Sequence, residues 1–146
     1  VPLLLVPMGL VPDTALTFNN TSSDPTSNIL KYRFQHLIKA DVEVTYKGFS
    51  LGASYRYNSF MQNLDKVFLV LDTSMTTQLL PTGIVKYRQD RYGKADYVID
   101  ARASYKMNPT SKVAIIVNNV LNREYMIRPL LMESPRTFAI QYTLDF

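Results

Sequence analysis

The side chains able to do chemistry are few. His36 is the single imidazole and there is no cysteine. That removes disulfides, thiolate metal sites and cysteine nucleophiles together, and with them a zinc site built on several histidines. Gln35 and Leu37 beside His36 supply no catalytic set, so its expected role is packing or hydrogen bonding near the start of a strand. Asp41 with Glu43, and Asp96 with Asp100, project to one face of a strand. Paired carboxylates can serve acid/base chemistry, but on an alternating strand facing a wet lumen they need no such role. No Gly-rich phosphate loop, Gly-x-Ser-x-Gly or His-Glu-x-x-His occurs. The expectation is a protein that is not an enzyme, with no catalytic residue, cofactor or metal.

The elements that position these residues follow from composition and pattern. A chain of 146 residues suits one domain or a piece of one. With 47% hydrophobic and 19% charged residues it is not a disordered tail. The excess of 16 basic over 12 acidic residues is mild and spread out, which argues against a nucleic-acid partner. No apolar run reaches the roughly 18 residues of a transmembrane helix. The apolar start, Val1 to Val11, is broken by Pro2 and Pro7 and lacks both a basic n-region and an initiator Met. It is a poor signal peptide, and the expectation is a chain processed or cut from something longer.

The dominant signal has period two. Ile38, Ala40, Val42, Val44 and Tyr46 alternate with Lys39, Asp41, Glu43 and Thr45. The same alternation runs from Phe49 to Asn58, from Asp96 to Tyr105 and from Thr137 to Phe146, and less cleanly from Val113 to Val117. Strand side chains alternate faces, which predicts strands at about 37–46, 49–60, 96–106, 112–121 and 136–146. Leu30 to Phe34 alternates too and is a candidate sixth.

Short and long links also alternate. Lys47-Gly48 is a tight hairpin turn and Met107 to Thr110 is short, whereas Met61 to Ala95 is long and Asn122 to Pro135 intermediate to long. An up-and-down membrane barrel is built this way, with short periplasmic turns and long outer loops. Residues 1–28 and 61–95 are then extracellular loops. Within the second, Asn63 to Leu71 is apolar enough for a short helix or a packed loop, and Gln89 to Lys94 is turn-like.

Either of two architectures suits the alternation. A soluble antiparallel sheet would turn the apolar faces inward, and Tyr-rich strands suit it. A membrane barrel would turn them to lipid and line its lumen with Lys39, Asp41, Glu43, Arg56, Asp96, Asp100, Arg102 and Asp145. Two features favour the membrane: strands of about 9–11 residues, and Tyr46, Tyr55, Tyr57, Tyr97, Tyr105 and Tyr142 at strand ends, where an aromatic girdle lies. Five or six strands leave open edges that cannot face lipid, so the chain needs partners or the rest of a longer barrel.

Several stretches, in order, resemble the last strands of TonB-dependent outer-membrane receptors. Tyr32-Arg33-Phe34-Gln35-His36 is similar to the family's Tyr-Arg-Pro-x-His stretch, with Phe34 in place of Pro. Gly48 to Tyr57 and Tyr97 to Tyr105 continue the match. Asn118-Asn119-Val120-Leu121-Asn122-Arg123-Glu124-Tyr125 resembles the Asn-Leu-Phe-Asp/Asn-Arg-x-Tyr motif, and Pro135-Arg136-Thr137-Phe138 opens a final strand ending at the aromatic Phe146. The resemblance covers about residues 29–60 and 95–146.

It implies the C-terminal strands of a larger all-β, antiparallel, up-and-down transmembrane barrel in the outer membrane of a Gram-negative bacterium. The whole molecule would carry out energy-coupled uptake of a siderophore, cobalamin or glycan. Its partners would be membrane lipid, the remaining barrel and plug, TonB indirectly, and the outer-membrane assembly machinery through the C-terminal strand. The alternatives are a non-energised channel or structural barrel component of a larger surface complex, and a soluble β-barrel binding module. The motif residues have a plainer reading beside this one. Asn118, Asn119 and Asn122 lie where a strand ends and their amides can satisfy free backbone groups. Arg123 and Glu124 can pair, at little gain, and Phe146 can be an ordinary apolar strand end.

Overall fold

The computed structural model describes residues 15–73 and 82–145. Ten elements follow in chain order: α1 (Phe18–Thr21), β1 (Leu37–Tyr46), β2 (Phe49–Asn58), α2 (Lys66–Thr73), α3 (Ile84–Asp90), β3 (Asp96–Asn108), β4 (Ser111–Asn118), β5 (Met126–Arg128), β6 (Leu131–Met132) and β7 (Thr137–Leu144). The chain is mostly antiparallel sheet with few helices, and it divides into two compact units. Among the described residues, one comprises 15–33, 61–73 and 82–92, the other 34–60 and 93–145.

The second unit is a five-stranded antiparallel sheet in the order β1-β2-β3-β4-β7, with β5 and β6 as a separate two-stranded hairpin. Two-residue links join β1 to β2 and β3 to β4. At the first, Lys47 and Gly48 both have positive φ (46° and 86°), the backbone of a primed turn whose twist matches that of the strands. Among the described residues β1 and β7 are the sheet edges. No helix among these residues is long and apolar enough to cross a membrane, which says nothing about strands.

Register turns local alternation into continuous rows. Val42, Ala53, Ala101, Val117 and Phe138 stand opposite one another across all five strands. Val44, Leu51, Ala103, Ile115 and Ile140 form the next row, and Tyr46, Phe49, Tyr105, Val113 and Tyr142 the one beside the short turns. Phe49 and Tyr105 stack with ring centroids 4.3 Å apart. At the opposite end Tyr57 faces Tyr97. The apolar side chains thus share one face, and much of that face is bare: Val44 is 65% and Ile140 79% exposed.

Strand ends depart from the periodicity where a backbone group finds another partner. β2 stops at Asn58, and the next amide, that of Ser59, donates to the His36 carbonyl at 2.9 Å. β3 runs on to Asn108, β4 spans Ser111–Asn118 and β7 spans Thr137–Leu144. β4 ends because Asn119 adopts a left-handed φ of 51° and leaves the ladder.

Leu30 to Phe34 is not a sixth strand, which corrects the expectation from alternation. It holds a turn at Lys31-Tyr32. Tyr32 has φ 61° and its amide donates to the Asn63 carbonyl at 2.9 Å, so the segment bonds to a loop and not to a ladder. α2 overlaps the apolar stretch read as a short helix or packed loop. α3 has no counterpart in the sequence reading, and residues 89–90, read as turn-like, belong to it.

Candidate functional site

The polar face of the sheet carries a charge cluster set by register. Asp41 stands opposite Ser54, Glu43 opposite Gly52, and Gly52 opposite Arg102. Because Gly52 has no side chain, Arg102 crosses β2 to reach β1. Its Nε donates to Glu43 Oε2 at 2.9 Å, Nη2 to Asp41 Oδ1 at 2.7 Å, and Nη1 to Asp41 Oδ2 at 3.0 Å and Ser54 Oγ at 3.2 Å. The Ser54 hydroxyl donates to Asp41 as well. This is bidentate, charge-assisted pairing, which fastens three strands together. Asp41 and Glu43 are both engaged by one guanidinium and are not poised as a free acid and base. The second carboxylate pair is split in role: Asp100 accepts the Asn119 amide at 2.8 Å and lies 3.7 Å from Arg56.

The motif residues after β4 form a second constellation. Asn119 is buried; its Oδ1 accepts the Arg123 amide at 2.9 Å, and its Nδ2 donates to the carbonyls of Arg123 at 2.8 Å and Ser134 at 3.2 Å. Asn122, also left-handed (φ 50°), donates its amide to the Asn119 carbonyl and accepts the Arg136 amide at 2.8 Å. Asn118 Nδ2 donates to Thr137 Oγ1 at 3.2 Å. The Arg123 guanidinium lies 4.1 Å from the Tyr97 ring centroid, a cation–π contact. Tyr125 is buried, and that burial pushes its hydroxyl pKa above the ordinary value. Asn118, Asn119, Asn122, Arg123, Tyr125 and Arg136 therefore lie around one loop, in which the Asn119 and Asn122 side chains staple the backbone.

The other motif residues do not join them. Phe138 is 71% exposed, on the apolar face. The exposed His36 takes part through its backbone, its amide donating to Ser59 Oγ at 3.0 Å. Phe146 lies outside the described residues.

Tyr32 and Arg33 belong to the first unit, whose hub is Asn63. Asn63 is 0% exposed. Its Oδ1 accepts from Ser22 Oγ at 2.7 Å, Ser23 Oγ at 3.2 Å and the Asp24 amide at 3.3 Å. Its Nδ2 donates to the carbonyls of Asp24 at 3.3 Å and Ile29 at 2.7 Å. Next to it, Asp65 accepts Lys31 Nζ at 2.6 Å and the Tyr32 hydroxyl. Partial burial raises the Asp65 pKa, but the hydrogen bonds from Lys31 and Tyr32 outweigh it and hold the carboxyl below its usual range. Burial first, and then Asp65, push the Tyr32 hydroxyl up to about 12. Further along, Asp72 accepts the Gly83 and Val85 amides, both at 2.9 Å, and the Thr82 hydroxyl. It caps α3, whose N-cap Gly83 has no side chain to do so, and these bonds lower its pKa.

Sequence reasoning did not single out Asn63, Asp65 or Gly52. Only Gly52 carried a signal, since a glycine inside a strand marks a close approach. No group of metal-ligating side chains occurs among the described residues. No protein family, curated protein or solved structure matches the chain.

Proposed function

We propose that the chain is wall and loops of a transmembrane β-barrel in an outer membrane, and that the whole protein is an energy-coupled nutrient transporter of the TonB-dependent kind. One observation carries the membrane part: the register gathers the apolar side chains of five strands onto one bare face, with an aromatic-rich row at the end by the short turns and the Tyr57–Tyr97 pair at the other. Tyr105 and Tyr97 are eight residues apart, ~26 Å along a strand and so ~20 Å along the membrane normal at the roughly 35–45° tilt of barrel strands, within reach of an apolar band about 25 Å tall. A soluble protein would have to cover such a face. The opposite face, with Arg102, Asp41, Glu43, Arg56 and Asp100, suits a wet lumen. The transporter part rests on the order of the family-like motifs, and the stapled loop from Asn119 to Arg136 accounts for their residue types.

Single bimane labels at Ala53, Ile140, Ser54 and Gln141, in protein folded into bilayers, test the membrane reading. Brominated lipid should quench the first two and spare the others. Equal quenching, or a monodisperse, detergent-free monomer that unfolds cooperatively, would overturn it. Uptake that persists without TonB would leave a non-energised channel.

A further inference from the structure

The first unit contains a groove of about 700 Å³ that neither the sheet nor the stapled loop explains. Leu16, Phe18, Leu30 and Val67 form its apolar wall. These side chains stay in solvent, with Leu16 73% and Leu30 68% exposed. Three charged residues line the same groove: Lys31, Arg33 and Asp65. Two of the charges neutralise each other. Lys31 is paired with Asp65 at 2.6 Å, donates to Thr21, and lies over the Phe18 ring at 5.8 Å from its centroid. Asp65 is further occupied by the Tyr32 hydroxyl. Arg33 has no ion-pair or hydrogen-bond partner among the described residues, so the groove keeps one unmatched positive charge. Its frame is preformed, because Asn63 bonds 22–29 to the base of 63–65.

An apolar-walled groove with one convergent charged group is the usual form of a small-molecule site. A guanidinium fork matches a carboxylate bidentately and is weakly hydrated, so it tolerates an apolar neighbour better than an ammonium does. We propose that this groove binds a small amphipathic acid, one carboxylate on an aromatic or aliphatic body, with Arg33 holding the carboxylate and Leu16, Phe18, Leu30 and Val67 holding the body. The proposal concerns the first unit alone and is independent of whether the sheet lies in a membrane.

Photolabelling with 4-benzoylbenzoate tests it on the full chain folded in detergent, with crosslinked peptides mapped by mass spectrometry. Labelling should concentrate within 16–33 and 65–67. Arg33→Gln should lower it about tenfold, as loss of a charge-assisted bond implies, and Arg33→Lys should lower it less. Benzophenone, which lacks the carboxylate, should label these peptides no more than the acid labels them in Arg33→Gln. Competition by biphenyl-4-carboxylate points to an aromatic acid as the natural ligand, and competition by decanoate to a fatty acid; either supports the site. Equal labelling by benzophenone, labelling unchanged in Arg33→Gln, or crosslinks confined to the strands would overturn it. Circular dichroism of each variant matching the parent separates loss of the site from loss of the fold.

Discussion

Gly52 and Arg102 stand directly opposite one another on β2 and β3, and the arginine lies across the space a side chain at 52 would fill. A Cβ at 52 would come within 2.6 Å of Arg102 Nε and 2.9 Å of its Cγ. Gly52→Ala must therefore displace the whole side chain and break its bonds to Asp41 and Glu43. The substitution should lower stability. In an Arg102→Ala background the same substitution should cost little. Urea unfolding across the four proteins measures the coupling, and strictly additive effects would contradict this geometry.

The two faces predict opposite tolerance. Ala101 lies in the middle apolar row and Ser104 on the polar face. Ala101→Arg should cost ~2–4 kcal/mol in a bilayer, whereas Ser104→Arg should cost far less. Folding yield and unfolding in lipid vesicles compare them, and equal losses would count against the membrane assignment.

Asn63→Asp keeps the size of the hub but removes its donors, stranding the Ile29 carbonyl and leaving the Asp24 carbonyl with the Ser22 hydroxyl alone. A loss of about 2–3 kcal/mol is expected for buried groups left unpaired. Amide exchange should accelerate in 22–32 and stay slow in β2 and β3. A uniform change across the chain would place the hub elsewhere.

Asn119 combines a left-handed backbone with three side-chain hydrogen bonds. Both Asn119→Ala and Asn119→Gly lose the bonds, but only alanine also pays for the backbone, by about 1 kcal/mol. Glycine should therefore be the more stable variant by thermal unfolding. The reverse order would show that the φ angle is not the constraint.

Tyr32 links the first unit to alkaline pH. Its folded pKa, about 12, is above the ordinary value of 10.0. The hydroxyl's contribution is complete below pH 10 and is lost as pH rises through about 12. Asp65 works in the other sense: its lowered pKa gives a contribution present above the ordinary value of 3.8 and lost as pH falls through the folded one. Absorbance at 295 nm should show a late-titrating phase to which both Tyr32 and the buried Tyr125 contribute, and Tyr32→Phe should remove its own share and leave that of Tyr125. An unchanged titration curve in that variant would refute the assignment.

The five long strands and their faces are legible in the residue pattern. Alternation is a property of a single extended backbone, so Val42, Ala53, Ala101 and Ile140 could be grouped as apolar without knowing which strand lies beside which. The Lys47-Gly48 turn was legible for the same reason, since positive φ is a local demand. The tertiary structure alone decided where strands yield to other bonds and which polar groups meet. Leu30 to Phe34 alternates like a strand, yet Asn63 and Asp65 fold it into a turn. Ser22 and Asn63 are 41 residues apart, and Asp41 and Arg102 are 61 apart. Such pairs depend on register and chain closure, which no window of neighbouring residues encodes. The Asn118 to Tyr125 stretch was visible as a motif and as a strand end, but its bonds to Ser134 and Arg136 required the chain to return through β5 and β6. Periodicity is written in each strand, whereas the identity of a partner is written only in the sheet.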